Sequence, residues 1–143
     1  MTPSQAIGYA LNQTSAITAI VGTRIFAGNR ISAGSTGTII LPAINYFDLP
    51  GGIRKNGIES VTYSINCRAK DKATADQLSR LVVDLFHGTA STGIYGTMNN
   101  FNVARASLRN LQGSIFEASF QITEQVYNCP VDIQFVYESS TIS

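Results

Sequence analysis

Two stretches of the chain alternate apolar and polar residues with hardly a break. Val61, Tyr63, Ile65, Cys67 and Ala69 interleave with Thr62, Ser64, Asn66 and Arg68, and Phe116, Ala118, Phe120 and Ile122 interleave with Glu117, Ser119, Gln121 and Thr123. Successive side chains on a strand point to opposite faces, so each stretch predicts a strand with one buried and one solvated face. Between them, Ala75, Leu78, Leu81, Val82 and Leu85 fall on one stripe of a helix that Asp71 can cap, with Asp76 and Arg80 on the other side and Gly88 as its stop.

The remaining elements follow from weaker signals. Ile7 and Leu11 lie four apart, which predicts a helix over residues 4–11. Thr14 or Ser15 can cap a short second helix carrying Ile17, Ile20 and Val21, ended by Gly22. Residues 28–37 have turn composition and read as a loop, as do residues 88–100. Residues 39–49 predict a strand that Pro42 confines to an edge or to a late start. Leu49-Pro50-Gly51-Gly52 leaves it, and Asn56-Gly57 marks a turn before the strand over 58–70. Two more strands are expected over 101–111 and 114–127, reversed at Gln112-Gly113. Pro130 is expected to end the domain, leaving residues 131–143 as an extension: a fifth strand or an arm lying on a neighbouring subunit. The fold class is therefore α+β in one domain over residues 1–130, a four-stranded, mainly antiparallel sheet with helices on one face.

Composition narrows the function more than it suggests one. A length of 143 residues with 44% hydrophobic content supports a single real core. Charged residues make up only 13%, which leaves little repulsion to oppose packing against copies or partners. A net charge of +1 does not describe a free-standing nucleic-acid binder. No apolar run approaches the roughly 20 residues of a membrane span. The start Met1-Thr2-Pro3-Ser4-Gln5 lacks the pattern of a signal peptide, so synthesis in a reducing cytosol is expected. Cys67 and Cys129 are too far apart in sequence to read as a metal knuckle or redox pair, and no obligatory disulfide is expected.

Catalytic chemistry is hard to find. His87 is the single histidine, placed where it can satisfy the carbonyls of a helix end, and no nucleophile or carboxylate has a special spacing to it. Zinc would need more His or Cys ligands than the chain offers. Residues 28–36 miss the phosphate-loop pattern because Ser35, not lysine, follows Gly34. No catalytic residue, metal site or cofactor is expected. Arg105 and Arg109 share one phase of a strand opposite Ala104, Ala106 and Leu108, and Arg68 and Lys70 are exposed candidates on the strand before the helix. These four are candidate interface residues, since a guanidinium makes paired hydrogen bonds to a partner's carboxylates. Val131, Ile133 and Phe135 join them if the C-terminal segment is an intersubunit arm.

Several stretches resemble the tail completion, or tail terminator, family of long-tailed bacteriophages. They are Leu11 and Ile17, the run Ala19-Ile20-Val21-Gly22-Thr23-Arg24-Ile25-Phe26, the Pro-containing strand Leu41-Pro42-Ala43-Ile44-Asn45-Tyr46, and then the alternating strand and the helix over 72–86 in the family's order. The resemblance covers residues 5–127 and departs in the 28–37 loop and after Pro130. It implies an architectural protein that forms a ring, commonly a hexamer, at the head-proximal end of the tail tube. That ring ends tube growth and joins the tail to the head connector, with DNA only passing through the lumen. The implied partners are copies of itself, the tail tube protein and a connector or neck protein, and the implied location is the virion, in the tail or neck. Another neck or head-tail adaptor component is the alternative, and a small soluble ligand-binding or enzymatic domain the more distant one. On this reading His87→Ala leaves particle assembly intact; a normally folded variant that fails to complement assembly would contradict it.

Overall fold

The computed structural model describes residues 3–28, 40–55, 58–86, 96–98, 101–111, 115–119 and 122–138. Three helices, α1 (Pro3–Gln13), α2 (Ser15–Val21) and α3 (Lys72–Phe86), accompany eight strands: β1 (Ile25–Ala27), β2 (Ala43–Asp48), β3 (Ile53–Lys55), β4 (Ile58–Ala69), β5 (Gly96–Met98), β6 (Phe101–Leu111), β7 (Ile115–Ser119) and β8 (Ile122–Glu138). The strands form one sheet in the order β1-β2-β4-β8-β6-β5, with β3 also on β4 and β7 also on β8. Only β1–β2 is parallel; the other pairs are antiparallel. The α+β class with helices on one face holds, and the sheet is wider than four strands because it adds short strands too brief to leave a pattern.

Two long hairpins build this sheet. β2 and β3 run one after the other along the same edge of β4, from Ala43↔Arg68 to Asp48↔Tyr63 and again from Ile53↔Ser60 to Lys55↔Ile58. The turn signal Asn56-Gly57 falls between Lys55 and its partner Ile58, as a two-residue hairpin connection requires. Leu49-Pro50-Gly51-Gly52, expected to leave the sheet, instead interrupts this edge, and the Leu49 amide still donates to the Thr62 carbonyl at 2.8 Å. The second hairpin has the same plan. β6 and β7 run consecutively along one edge of β8, from Val103↔Tyr137 to Leu111↔Val131 and from Ile115↔Asn128 to Ser119↔Ile122. The reversal expected at Gln112-Gly113 is therefore absent, because the chain continues in the same direction on both sides of 112–114 and turns back between Ser119 and Ile122.

β4 and β8 join the hairpins through a ladder from Ile58↔Glu138 to Ala69↔Tyr127. This overturns the expectation that Pro130 ends the domain and that an arm begins there; of the two readings of the segment after it, strand holds, as the continuation of β8 and not as a separate fifth strand. Pro130 sits inside the central strand β8, opposite Asn66. Its position explains how a residue without an N–H is tolerated there. Neighbouring residues of a strand turn their backbone polar groups to alternate sides. Pro130 faces away from β4 and lies between Asn128, the first partner of β7, and Val131, the last partner of β6. Proline there leaves the β4–β8 ladder bonds intact, since its missing donor is on the side turned away from β4.

The core lies between the sheet and the three helices. Ala6, Ile7, Ala10 and Leu11 of α1, Ile17 and Val21 of α2, and Ala75, Leu78, Val82 and Phe86 of α3 meet Ile44, Tyr46, Tyr63, Ile65, Cys67, Val131, Ile133 and Phe135. Phe135 receives Phe86 and Tyr63 edge-on, with ring centroids 5.5 and 6.2 Å away. Leu81 and Leu85, assigned to the buried stripe, are only partly covered, while Ser79 is buried and donates to the Asp76 carbonyl at 2.7 Å. Asp71 caps α3 as expected, accepting from the Thr74 amide at 2.9 Å, and that bond holds its carboxyl below the ordinary value. Thr14 occupies the N-cap position of α2, but its hydroxyl donates back to the Ala10 carbonyl at 2.8 Å and makes no cap. Gly22 ends α2 with φ 60, its amide donating to the Thr18 carbonyl at 2.8 Å. Gly8 lets α1 close on β2, since a Cβ there would collide with the Tyr46 hydroxyl.

Two predictions follow from this core. Deleting residues 131–143 removes eight of the twelve pairs of the central ladder and yields an unfolded or aggregated chain; a monomeric product with native far-UV and near-UV circular dichroism would refute the placement of β8. Burial, with Asp48 and Tyr46 nearby, pushes the Tyr63 hydroxyl from 10.0 up to about 12. Its contribution to stability is therefore complete below pH 10 and is lost as pH rises toward about 12. Tyr63→Phe should remove part of the fall in the urea midpoint between pH 10 and 12 and leave its pH dependence below pH 9 unchanged.

Candidate interaction surfaces

The face of the sheet opposite the helices carries an unusual amount of buried amide. Asn45 is 0% exposed, Asn66 5%, Ser64 6% and Asn128 8%. Strand alternation places all four on the phase opposite Ile44, Ile65, Cys67 and Cys129. Their hydrogen bonds form two groups, one between β4 and β8 and one between β2 and β4. Asn128 Nδ2 donates to Asn66 Oδ1 at 2.9 Å, and Asn66 Nδ2 donates to Ser64 Oγ at 3.3 Å. Asn45 Nδ2 donates to the Gly28 carbonyl at 3.0 Å, while its Oδ1 accepts from the Arg68 guanidinium. Gln134 Nε2 donates to Ser60 Oγ at 2.7 Å further along the same face. Asn128 Oδ1 alone among these buried atoms has no partner among the described residues. Such an oxygen costs on the order of 1–3 kcal/mol.

At one end of this face Leu41, Ala43 and Val126 form a small apolar cluster with Phe26 against it. Arg24 ties the same region together. Its Nε donates to the Pro42 carbonyl at 2.8 Å, and its Nη2 reaches the Ile20 carbonyl near the end of α2 at 3.5 Å. Just beyond lies the projecting part of the second hairpin. Tyr127 pairs with Ala69, the last residue of β4, so residues 122–126 of β8 pair with β7 alone among the described residues. Five residues of strand reach roughly 17 Å past the end of β4.

The sequence-derived interface residues divide between these surfaces and the core. Arg68 is partly buried and committed to Asn45. Lys70 is exposed just after β4. Arg105 registers with Val136, and Arg109 falls at an irregularity between Leu108 and Asn110; both side chains lie outside the described residues. Val131, Ile133 and Phe135, assigned to an arm, are 0, 0 and 1% exposed and belong to the helix-facing core. Their alternation is that of a half-buried central strand. His87 and most of the 28–37 loop lie outside the described residues, and within 88–100 residues 96–98 form β5 rather than loop.

The buried amides escaped sequence reasoning because Ser64, Asn66 and Arg68 occupy the polar phase of a strand, which normally faces water. The available signal was that this phase holds uncharged Ser and Asn where a solvated face would carry Lys and Glu. Nothing in the geometry suggests a metal: no group of three His, Cys, Asp or Glu side chains converges among the described residues. No helix of the described residues is long and apolar enough to cross a membrane.

No family model matches the chain, and no curated protein does. Among solved structures, it is similar to a chain of "Virion of native gene transfer agent (GTA) particle", with a TM-score of 0.62 at 14% identity, covering 95% of this chain and 94% of that one. At that identity the likeness concerns the fold, and it spans both chains almost end to end.

Proposed function

We propose that this chain is a structural virion protein of a tailed phage or phage-like particle, acting by assembly rather than catalysis. Its place is a ring at the head-proximal end of the tail tube, where it ends tube growth and joins the tail to the head connector. The observation that carries this reading is the end-to-end fold likeness to a chain from a phage-like virion, joined to the order of elements that resembles tail terminators. The weakly charged composition supports it, because a surface with few charges packs against copies at little electrostatic cost.

A closed ring of identical subunits needs two different patches on each, one meeting the other on the next copy. The projecting β7–β8 hairpin supplies one, since it extends past the β4 end and, among the described residues, no strand beyond β7 pairs with it there. Lys70, Arg105 and Arg109 are the basic positions that would meet a partner's carboxylates, be it a second copy, the tail tube or the connector. A neck or head-tail adaptor component is the second reading, favoured by the same fold likeness.

Deleting the gene in its source particle and imaging the lysate by negative-stain electron microscopy tests both. Free heads beside unattached, over-long tails are expected. Unattached tails of normal length would favour the adaptor reading, and intact particles of normal length would overturn both. Shortening the hairpin across residues 117–124 should abolish complementation while the purified variant keeps its native circular dichroism.

A further inference from the structure

Cys67 and Cys129 have no part in the assembly reading and are remote in sequence, yet the central ladder makes them direct cross-strand partners. The hydrogen-bond phase of that pair can be worked out. The Ile44 amide donates to the Arg24 carbonyl, and the Tyr46 carbonyl accepts from Gly28, so Ile44 and Tyr46 turn their backbone groups toward β1. Alternation then turns Ala43, Asn45 and Phe47 toward β4, and their partners Arg68, Asn66 and Ser64 toward β2. The bond from Leu49 to Thr62 has the same phase. Cys67 must therefore turn its own backbone groups toward β8, and Cys67–Cys129 is a hydrogen-bonded antiparallel pair. Such pairs hold their Cα atoms about 5.5 Å apart, inside the ~4.4–6.8 Å that a disulfide spans. Both side chains lie on the helix-covered face and are 0 and 2% exposed. No register irregularity interrupts the ladder on either side of them.

We propose that Cys67 and Cys129 are a latent cross-strand disulfide, closed by a peroxide-class oxidant with a local shift of the two strands that draws the Cβ atoms from the ~4.5–5.5 Å of a facing pair to the ~3.5–4.5 Å of a disulfide. In the first step the sulfur of one cysteine, as thiolate, attacks a peroxide oxygen; the O–O bond breaks, leaving a sulfenic acid and water. In the second, the other sulfur displaces the hydroxyl as water and the S–S bond forms. Two thiols and one hydrogen peroxide thus give one disulfide and two waters. Burial, with Cys129 beside it, pushes the Cys67 thiol far above its ordinary value, with Arg68 opposing weakly. Little thiolate is present in the closed fold, so reaction is slow there and speeds up when the β4–β8 ladder opens. A reducing cytosol keeps the pair as thiols, and transfer to an oxidising medium lets it close. This inference does not depend on which position the protein takes in a particle.

The test uses the full chain with hydrogen peroxide, with and without urea below the unfolding midpoint, read by intact mass and a non-reducing peptide map. Loss of two hydrogens and a cross-linked peptide joining Cys67 to Cys129 are expected, several-fold faster in urea, with Tm raised by on the order of 5–10 °C and restored by dithiothreitol. Cys67→Ala and Cys129→Ala should each block the intramolecular cross-link. Oxygen addition to the wild-type cysteines without cross-linking, a disulfide only between molecules, or retention of both thiols in urea would overturn the proposal. The wild-type peptide map decides the matter even if a variant misfolds.

Discussion

The pairing of β4 with β8 is the interaction on which the rest depends. It runs the full 12 residues of β4, and its partners lie far apart in sequence, from Ala69↔Tyr127 to Ile58↔Glu138, so folding must close a long loop before the ladder repays the entropy. Each hairpin alone would be a ribbon of two strands, a form of marginal stability in water. Joined edge to edge, they make a sheet wide enough for all three helices to cover. Phe135 shows the coupling: it lies on β8, opposite Val61 of β4, and takes its aromatic contacts from β4 and α3. Truncating such a side chain typically costs about 3–5 kcal/mol.

The breaks in the outer strands follow from the length of the central ones. A strand pair as long as β4–β8 twists strongly, and an unbroken flanking strand would have to follow that twist throughout. Instead β2 passes to β3 across 49–52, and β6 passes to β7 across 112–114. The first of these stretches carries one proline and two glycines. Read locally, such residues signal that a strand has ended and the chain reverses. Here they mark an interruption in a strand that resumes, and only long-range register distinguishes the two cases.

This distinction also sets how far the sequence could be read. Periodicity located β4, α3 and the β6 segment closely, because each buries one face over many residues: the 58–70 expectation met a strand at Ile58–Ala69, and Asp71 capped the helix it was assigned. β1, β3 and β5, at three residues each, are too short for any period to register. Pro130 was legible as a residue that cannot donate, but its place in the central ladder depends on its pairing with Asn66, far away in sequence. The cysteine pair was illegible for the same reason: separation along the chain says nothing about register. Arg68 was correctly placed on the polar phase, but its commitment to Asn45 depends on β2 lying alongside.

The two faces of the sheet divide the work. On the helix side, apolar burial drives folding and leaves little to offer a partner; Val131, Ile133 and Phe135 are spent there. On the other side, Ser64, Asn66 and Asn128 bond to one another and Asn45 bonds to Arg68 and Gly28; these bonds contribute modest net stability, yet each atom left unpaired is costly. A network of this kind specifies strand register more than it strengthens it, because a slip of one residue would bury amides among aliphatic side chains and expose the core phase to water. Register is what the projecting hairpin needs. Among the described residues β7 and the start of β8 have no part of β4 beside them, so their position in space is set by the alignment of Ala69 with Tyr127 and the pairs behind it, together with the contact of Val126 with Leu41 and Ala43. In the ring assembly proposed above, a subunit that presents the same projecting element to a neighbour at a fixed angle gains more from an exact ladder than from a stronger one.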